Sequence, residues 1–280
     1  MKAQYPIRTL CQALEVSASG YYAWRERKAS PSPRVQENQW LARLIHDEFK
    51  ASRQTYGSPR IHQVLQQQGH GYGRRRIARL MRQERLCGRQ KKRFRVRTTD
   101  SRHDQPIAPN RLAQQPEPQQ ANQVWVADIT YIRTGPGWLY LSAVMDFYSR
   151  RIIGWAMSET IDTELVLASW RMALSRRPVP DQLIVHSDRG CQYASAEFRN
   201  ALQKQGALAS MSRKANCYDN AAMESFWSTL KLELVYRRKF TTPGEARAEI
   251  FSFIELFYNP KRLHSSLKYL SPVDFETQNN

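Results

Sequence analysis

The sequence predicts an α/β domain preceded by an all-helical, basic one, and three observations carry that prediction. Apolar, β-branched runs of strand length start at Val124 and alternate with helical spacing from Asp162 onward. Residues 5–86, by contrast, show helical spacing only. Between the two lies a proline- and glutamine-rich linker, residues 98–122, without any apolar period.

The charge divides at the same place. Of the formal net charge of +18, residues 1–115 hold 24 Lys/Arg against 8 Asp/Glu, and residues 116–280 hold 19 against 17. The first part is therefore suited to a polyanion, and double-stranded DNA is the expected one, because clustered cations gain affinity by releasing its counterions. A membrane is not expected: no apolar run approaches the roughly 18 residues of a span. The start, MKAQYPIRTL, lacks the apolar stretch of a signal peptide. The expected location is the cytoplasm, at the nucleoid through DNA. Cys11, Cys87, Cys191 and Cys217 form no CxxC pair and no zinc-finger spacing, so they read as reduced thiols.

In chain order, residues 1–33 form a short helical segment. Ile7, Leu10, Cys11 and Leu14 follow helical spacing, and Tyr21, Tyr22 and Trp24 follow a turn at residues 16–18. Residues 34–97 are expected to be a helix-turn-helix DNA-binding domain. Its first helix, about 36–50, buries Trp40, Leu41, Leu44, Ile45 and Phe49. Its second opens on Ser58-Pro59 as N-cap and first helical residue and stops at Gly69. Its third, about 73–86, turns Ile77, Leu80 and Met81 inward and presents Arg74, Arg75, Arg76, Arg79, Arg82 and Arg85 outward. At about 100° per residue those arginines fill an arc of roughly 200°. Arg75, Arg79 and Arg82 are the expected DNA contacts. Arg93-Phe94-Arg95-Val96-Arg97 alternates with period two and suits a basic ribbon or an exposed edge.

The core, residues 123–236, begins with strands at 124–132, 138–146 and 151–157. A helix at 162–176, a strand at 183–186, a helix at 195–205 and a short strand at 207–211 follow, then the helix that holds Glu224. The last part, 237–280, starts with a capping box at Thr242-Pro243-Gly244-Glu245. Its helix buries Ala246, Ile250, Phe253, Ile254 and Phe257 and is expected to pack on the core.

Three acids stand out. Asp128 lies in VWVADITYI, Asp188 ends LIVHSDRGCQY, and Glu224 sits on the helix of NCYDNAAMESFWSTLK. A carboxylate in a buried strand is costly unless something pairs with it. Three acids from separate elements can hold two divalent cations, one activating water and one stabilising a leaving 3′ oxygen. Hard oxygen ligands favour Mg²⁺, with Mn²⁺ able to substitute. Lys231, seven residues after Glu224, shares nearly its helix face and suits the phosphate of a DNA end. His186 and Arg189 flank Asp188 and are read as support; Gly190 lets the backbone pass close by. Asp146 is expected to pair with Arg150 or Arg151 rather than to act as a fourth ligand.

The Asp…Asp-x35-Glu spacing, with HSDRGCQY and YDNAAMESFWSTLK around the second and third acids, resembles the catalytic core of transposases and retroviral integrases. The chain is most similar to the second-frame (OrfB) transposase of insertion sequences of the IS-three group, from LEVSASGYYAW to YNPKRLHSSLKYLSPVDF. The resemblance implies a ribonuclease-H-like integrase core: a mixed five-stranded sheet flanked by helices, behind a helix-turn-helix region. It implies strand cleavage and 3′-OH strand transfer at element ends by a two-metal DDE site of Asp128, Asp188 and Glu224. It also implies DNA contacts by Lys231, Arg262 and His264, and a place for Asp219 and Asn220 in the motif ahead of the glutamate, where Asp219 suits a cap. Expected partners are element ends, target DNA, further copies of the chain and the first-frame (OrfA) protein, since no heptad run is present. A ribonuclease-H-like nuclease and a non-catalytic regulator of transposition are the alternatives.

Overall fold

The structure, a computed structural model, describes residues 5–88, 104–114, 117–213 and 220–279. The basic ribbon read at 93–97 and the cap read at Asp219 lie outside the described residues. The chain divides into two compact units, Met1–Gly88 and Arg89–Asn280.

The first unit is helical: α1 Ile7–Ala13, α2 Ala18–Ala29, α3 Pro33–Ala51, α4 Ser58–Gln67 and α5 Arg74–Gln83. Ser17 caps α2 by accepting the Gly20 N–H at 3.0 Å. Gly57, not Ser58, is the N-cap of α4, and Pro59 falls within the first turn, where no intrahelical donor is lost. Gly69 takes φ +86° just past the end of that helix, a conformation that suits glycine. Leu41 and Ile45 of α3, Ile61 and Leu65 of α4, and Ile77, Leu80 and Met81 of α5 are buried. Trp40 is left exposed, contrary to its expected place inside.

The second unit holds one sheet in the order β3-β2-β1-β4-β5. Its strands are β1 Val124–Arg133, β2 Trp138–Asp146, β3 Ile152–Ser158, β4 Ile184–Ser187 and β5 Leu208–Met211. The first three pair antiparallel, and β1–β4 and β4–β5 pair parallel. This is the mixed five-stranded sheet the sequence led one to expect. Helices α6 Thr163–Arg176, α7 Cys191–Ala194 and α8 Ala196–Gln203 join one core with the sheet through Trp125, Val185, Trp170 and Phe198. Gly154 of β3 lets the sheet approach α6 closely: a Cβ there would meet the Ala173 nitrogen at 2.7 Å.

Helices α9 Ala221–Glu233, α10 Pro243–Phe253 and α11 Pro272–Asn279 complete the unit. Phe226, Phe253 and Tyr258 form a second aromatic cluster among them, with Phe226 and Tyr258 ring centroids 4.8 Å apart. Thr242 caps α10 as expected, accepting the Glu245 N–H at 3.1 Å. The Glu245 carboxylate turns instead to Thr241, taking its N–H and hydroxyl at 2.8 Å each. Helix α11 was not foreseen; its Glu276 is buried and ion-paired with Arg151 and Arg177. Asp146 is corrected too. Its backbone bonds those of Arg150 and Arg151, but its carboxylate accepts the N–H groups of Asn122, Tyr148 and Ser149 and the Ser149 hydroxyl instead of an arginine side chain. It is therefore a buried turn anchor between β2 and β3, with its carboxyl pushed up by burial.

Candidate active site

Strand register places the first two acids. Val124 pairs with Ile184, Trp125 with Val185 and Val126 with His186. The same offset carried two residues on sets Asp188, just past β4, level with Asp128 in β1. Adjacent strands lie about 4.8 Å apart, so the two carboxylates are neighbours on one face. Turn chemistry fixes Asp188: its Oδ1 accepts the Gly190 N–H at 2.9 Å. A Cβ on residue 190 would stand 3.1 Å from that oxygen, so glycine keeps the approach open.

Asp128 is half-buried, and both of its oxygens accept hydrogen bonds. Its Oδ1 takes the Ile129 N–H at 2.8 Å, and its Oδ2 takes the Trp227 indole N–H at 2.9 Å. Burial pushes the Asp128 carboxyl up to about 8, and the Asp188 charge beside it pushes the same way. The Trp227 hydrogen bond opposes both. Tyr193 of α7 is buried near both acids, and burial followed by their charges drives its hydroxyl well above the usual range.

Helix α9 brings the remaining groups. Asn220 is its N-cap, and the Asn220 carbonyl accepts the Glu224 N–H at 3.1 Å. Glu224 is exposed in the first turn, near enough for its charge to act on Asp128. Among the described residues no three His, Cys, Asp or Glu side chains stand close enough to hold one ion together. Two of the three predicted acids are thus side by side, and Glu224 stands apart on the helix that Trp227 ties to Asp128. Lys231 is half-buried, its ammonium 5.0 Å over the Tyr131 ring. Burial lowers its pKa and the Asp128 charge raises it.

Other predicted residues take different places. His186 is wholly buried, its Nδ1 2.9 Å from the Ser210 hydroxyl, which also accepts the Arg111 and Leu112 N–H groups. It supports the sheet rather than touching a phosphate. The Arg189 Nε donates to the Ser212 carbonyl at 2.8 Å, holding the loop after β4. Arg262 is corrected: it is buried against Glu233 of α9, with bonds of 2.9 and 2.7 Å to the two carboxylate oxygens. A guanidinium so enclosed braces α9 and is not presented to DNA. His264 is half-buried, its ring edge-on to Tyr258 at 5.0 Å. In the first unit, Arg76 bonds Glu37 at 2.7 Å and Asn38 at 3.0 Å, so it braces α5 against α3. Arg75 and Arg79, with Arg34 and Glu37, line an open polar depression of about 580 Å³. Sequence reasoning missed Trp227; its position three residues after Glu224, on the same face, was the available signal.

The donor set fits a divalent cation. Two adjacent carboxylates repel, and oxygen-only ligands match Mg²⁺. A bound cation would remove the repulsion that raises Asp128.

Two family models described as "Integrase core domain" match residues 118–217 and 224–279, and one described as "HTH-like domain" matches residues 36–94. The "Insertion element IS600 uncharacterized 31 kDa protein" of Shigella sonnei is 45% identical over 266 residues, covering 95% of this chain and 97% of that one. "Transposase InsF for insertion sequence IS3A" of Escherichia coli is 38% identical over 278 residues, covering 99% and 96%. Among solved structures, the HTLV-2 integrase catalytic core domain in complex with magnesium aligns with a TM-score of 0.43 at 13% identity. That alignment covers 56% of this chain and 97% of that one.

Proposed function

The chain belongs to the IS3-type insertion-sequence transposases, polynucleotidyl transferases with an integrase core and a helix-turn-helix-like domain, and from that membership we propose that Asp128, Asp188 and Glu224 cut and join DNA. The protein is a DNA transposase. The observation that supports the site is Asp128 of β1 beside Asp188, just past the parallel strand β4, with burial and the Asp188 charge raising Asp128 to about 8.

Asp128 and Asp188 would hold divalent metal, two Mg²⁺ ions with Mn²⁺ able to substitute, and Glu224 would complete the set by a movement of the start of α9. When bound, such ions would supply Lewis-acid stabilisation of a five-coordinate phosphorus transition state and a nucleophile at neutral pH. The chain's own residues position the rest. Trp227 fixes the orientation of the Asp128 carboxylate. Asp128 would release its proton to solvent where a cation takes its place. Lys231 offers a cation to the phosphate beside the scissile bond, held in reach by its seat on Tyr131. With water as nucleophile the strand is cut; with a DNA 3′-OH it is joined, so one site serves both steps.

Arg75, Arg79 and Arg82 on the outer face of α5 would contact the phosphates of the element ends, within a helix-turn-helix domain of residues 34–97 behind a short segment 1–33. A linker, 98–122, would connect it to the catalytic core 123–236 and the packed C-terminal part 237–280. Two ends must meet for transposition, so the working form would be a homo-oligomer on DNA, with the first-frame protein as a further partner. Among the described residues no helix is long and apolar enough to cross a membrane.

The test is strand joining. Purified full-length protein with labelled element ends and Mg²⁺ should yield cut strands and longer, joined products. Asp188→Asn should lose both products by more than about a thousandfold while keeping DNA affinity. Cutting without joining would favour a nuclease, and equal loss of binding would remove the metal role.

A further inference from the structure

Close to the acid pair, the β1–β2 hairpin carries an exposed ladder of rings and cations. Register sets Arg133 opposite Trp138 and Tyr131 opposite Tyr140. The Trp138 ring stands edge-on to Tyr131 with centroids 5.0 Å apart. The Arg133 guanidinium lies 5.2 Å over Trp138, and the Lys231 ammonium lies 5.0 Å over Tyr131. Trp138 is 44% exposed, and Tyr236, five residues after Lys231, is 59% exposed. The hairpin end is held in place: Thr134 bridges to Phe240, and the Gly135 N–H donates to the Phe240 carbonyl at 2.9 Å.

Trp138 and Tyr236 stand outside the buried core, and an exposed tryptophan under a guanidinium is a costly way to finish a sheet. The arrangement suits one chemistry. Bases present flat faces to aromatic rings, and the phosphates between them need cations at short intervals. A paired duplex hides the faces of its bases, so a lone ring on a strand can stack only on an unpaired one. Position supplies the source. Trp227, which bonds Asp128, and Lys231, which lies over Tyr131, stand one turn apart on α9, so that helix joins the ladder to the acid pair. Strand alternation turns Tyr131 and Arg133 to the face of β1 opposite Asp128, so the connection runs through α9 beside the strand and not along it.

We propose that Lys231, Tyr131, Trp138 and Arg133, with Tyr236 at the margin, bind the unpaired nucleotides of a DNA end while its phosphodiester lies at Asp128 and Asp188. The inference rests on the reading of those acids as the cutting centre. It adds that the transposase grips a frayed end by stacking.

Fluorescence anisotropy with the full-length protein tests it. The probes are a 30-base-pair blunt duplex, the same duplex with a five-thymidine extension on one strand, that extension with abasic sites, and a duplex with an internal five-thymidine bubble. Wild type should bind the extended duplex roughly tenfold tighter than the blunt one, and abasic sites should remove the gain. Trp138→Ala should lose that gain and leave blunt-duplex affinity unchanged, while Trp138→Phe keeps most of it. Tyr236→Ala, at a more exposed ring, should lose part of the gain and serves if Trp138→Ala does not fold. Binding to blunt DNA without any extension gain overturns the ladder and leaves the transposase reading standing. A gain for the bubble alone assigns the ladder to deformed target DNA and overturns the end assignment. Absence of binding to every probe sinks the underlying reading as well.

Discussion

The acid end of the sheet and the arginine face of α5, the two surfaces proposed to meet DNA, are built in opposite ways. Asp128 and Asp188 are half-buried, level on adjoining strands and charge-coupled, and Trp227 on a third element holds Asp128 in orientation. Arg75, Arg79 and Arg82 stand on one exposed helix, where charges are screened by solvent and salt. A coupled, desolvated cluster concentrates energy in few atoms, so small displacements matter and single changes have large effects. A screened row shares its work among many similar contacts. The proposed chemistry would need the first design, since a nucleophile and a leaving oxygen must be placed to fractions of an ångström. Holding a long polyanion needs only the second.

The indole of Trp227 is the sharpest probe of the coupled end. Trp227→Phe keeps a ring against Phe226, whose centroid lies 4.8 Å away, and deletes the N–H that orients Asp128. Removing an outer partner of a metal ligand typically costs about 10–100-fold in affinity. Calorimetric titration with Mg²⁺ should show that loss with the thermal midpoint nearly unchanged, and DNA affinity in EDTA should not move. Equal Mg²⁺ affinity would make the indole a packing residue and the acid pair less tightly organised than its geometry indicates.

The next largest effect is one of pH. Asp128 in the folded, metal-free protein titrates near 8, against an ordinary value of 3.8. Between those values the folded state holds a proton that the unfolded state has released. Its contribution to stability is complete below about pH 4, declines as pH rises, and is gone above about 8. After discounting for the exposed side of the group, the decline should amount to about 1–2 kcal/mol. Asp128→Asn removes the titrating group. In EDTA, urea midpoints measured from pH 5 to 9 should fall for wild type and stay flatter for the variant. Parallel curves would place the strain elsewhere than at Asp128.

The same contrast explains what could be seen in the bare chain. Periodicity located the strands of the sheet to within a residue, because a buried strand between helices must be apolar on a fixed period: Val124, Trp125, Val126 and Ile184, Val185 leave no other reading. The acids were legible because a charge inside such runs needs a reason. Partners across the fold were not. Nothing local to Arg262 announces that Glu233, 29 residues earlier, will enclose it, and Asp146 gave no sign that four donors from three residues would surround it. Arg76 reads like its neighbours along α5, yet Glu37 and Asn38 take it out of the exposed row. Trp227 was the costliest omission, since an indole on an amphipathic helix reads as core until β1 is laid against it. Pattern reveals which face a residue occupies; it does not reveal which atom it meets.

The exposed row answers to salt more than to any single residue. Each phosphate contact contributes about 0.9 to the slope of log affinity against log salt, so replacing Arg75 and Arg79 together by alanine should lower that slope by up to about 2. Near physiological salt the loss of affinity should be modest, several-fold, and the same for different DNA sequences. Arg76→Ala is the informative control, because it removes an equal charge from the same helix but one already paired at 2.7 Å with Glu37. It should cost stability and leave the slope nearly unchanged, since a guanidinium already engaged by Glu37 makes no phosphate contact to lose. Anisotropy titrations at three salt concentrations separate the outcomes. If Arg76→Ala flattens the slope as far as the double variant does, the pair with Glu37 opens on DNA, and the row is organised by its ligand rather than by the fold. If neither variant moves it, the phosphates are held by another surface, and the exposed arginines of α5 serve only to keep the helix in solvent.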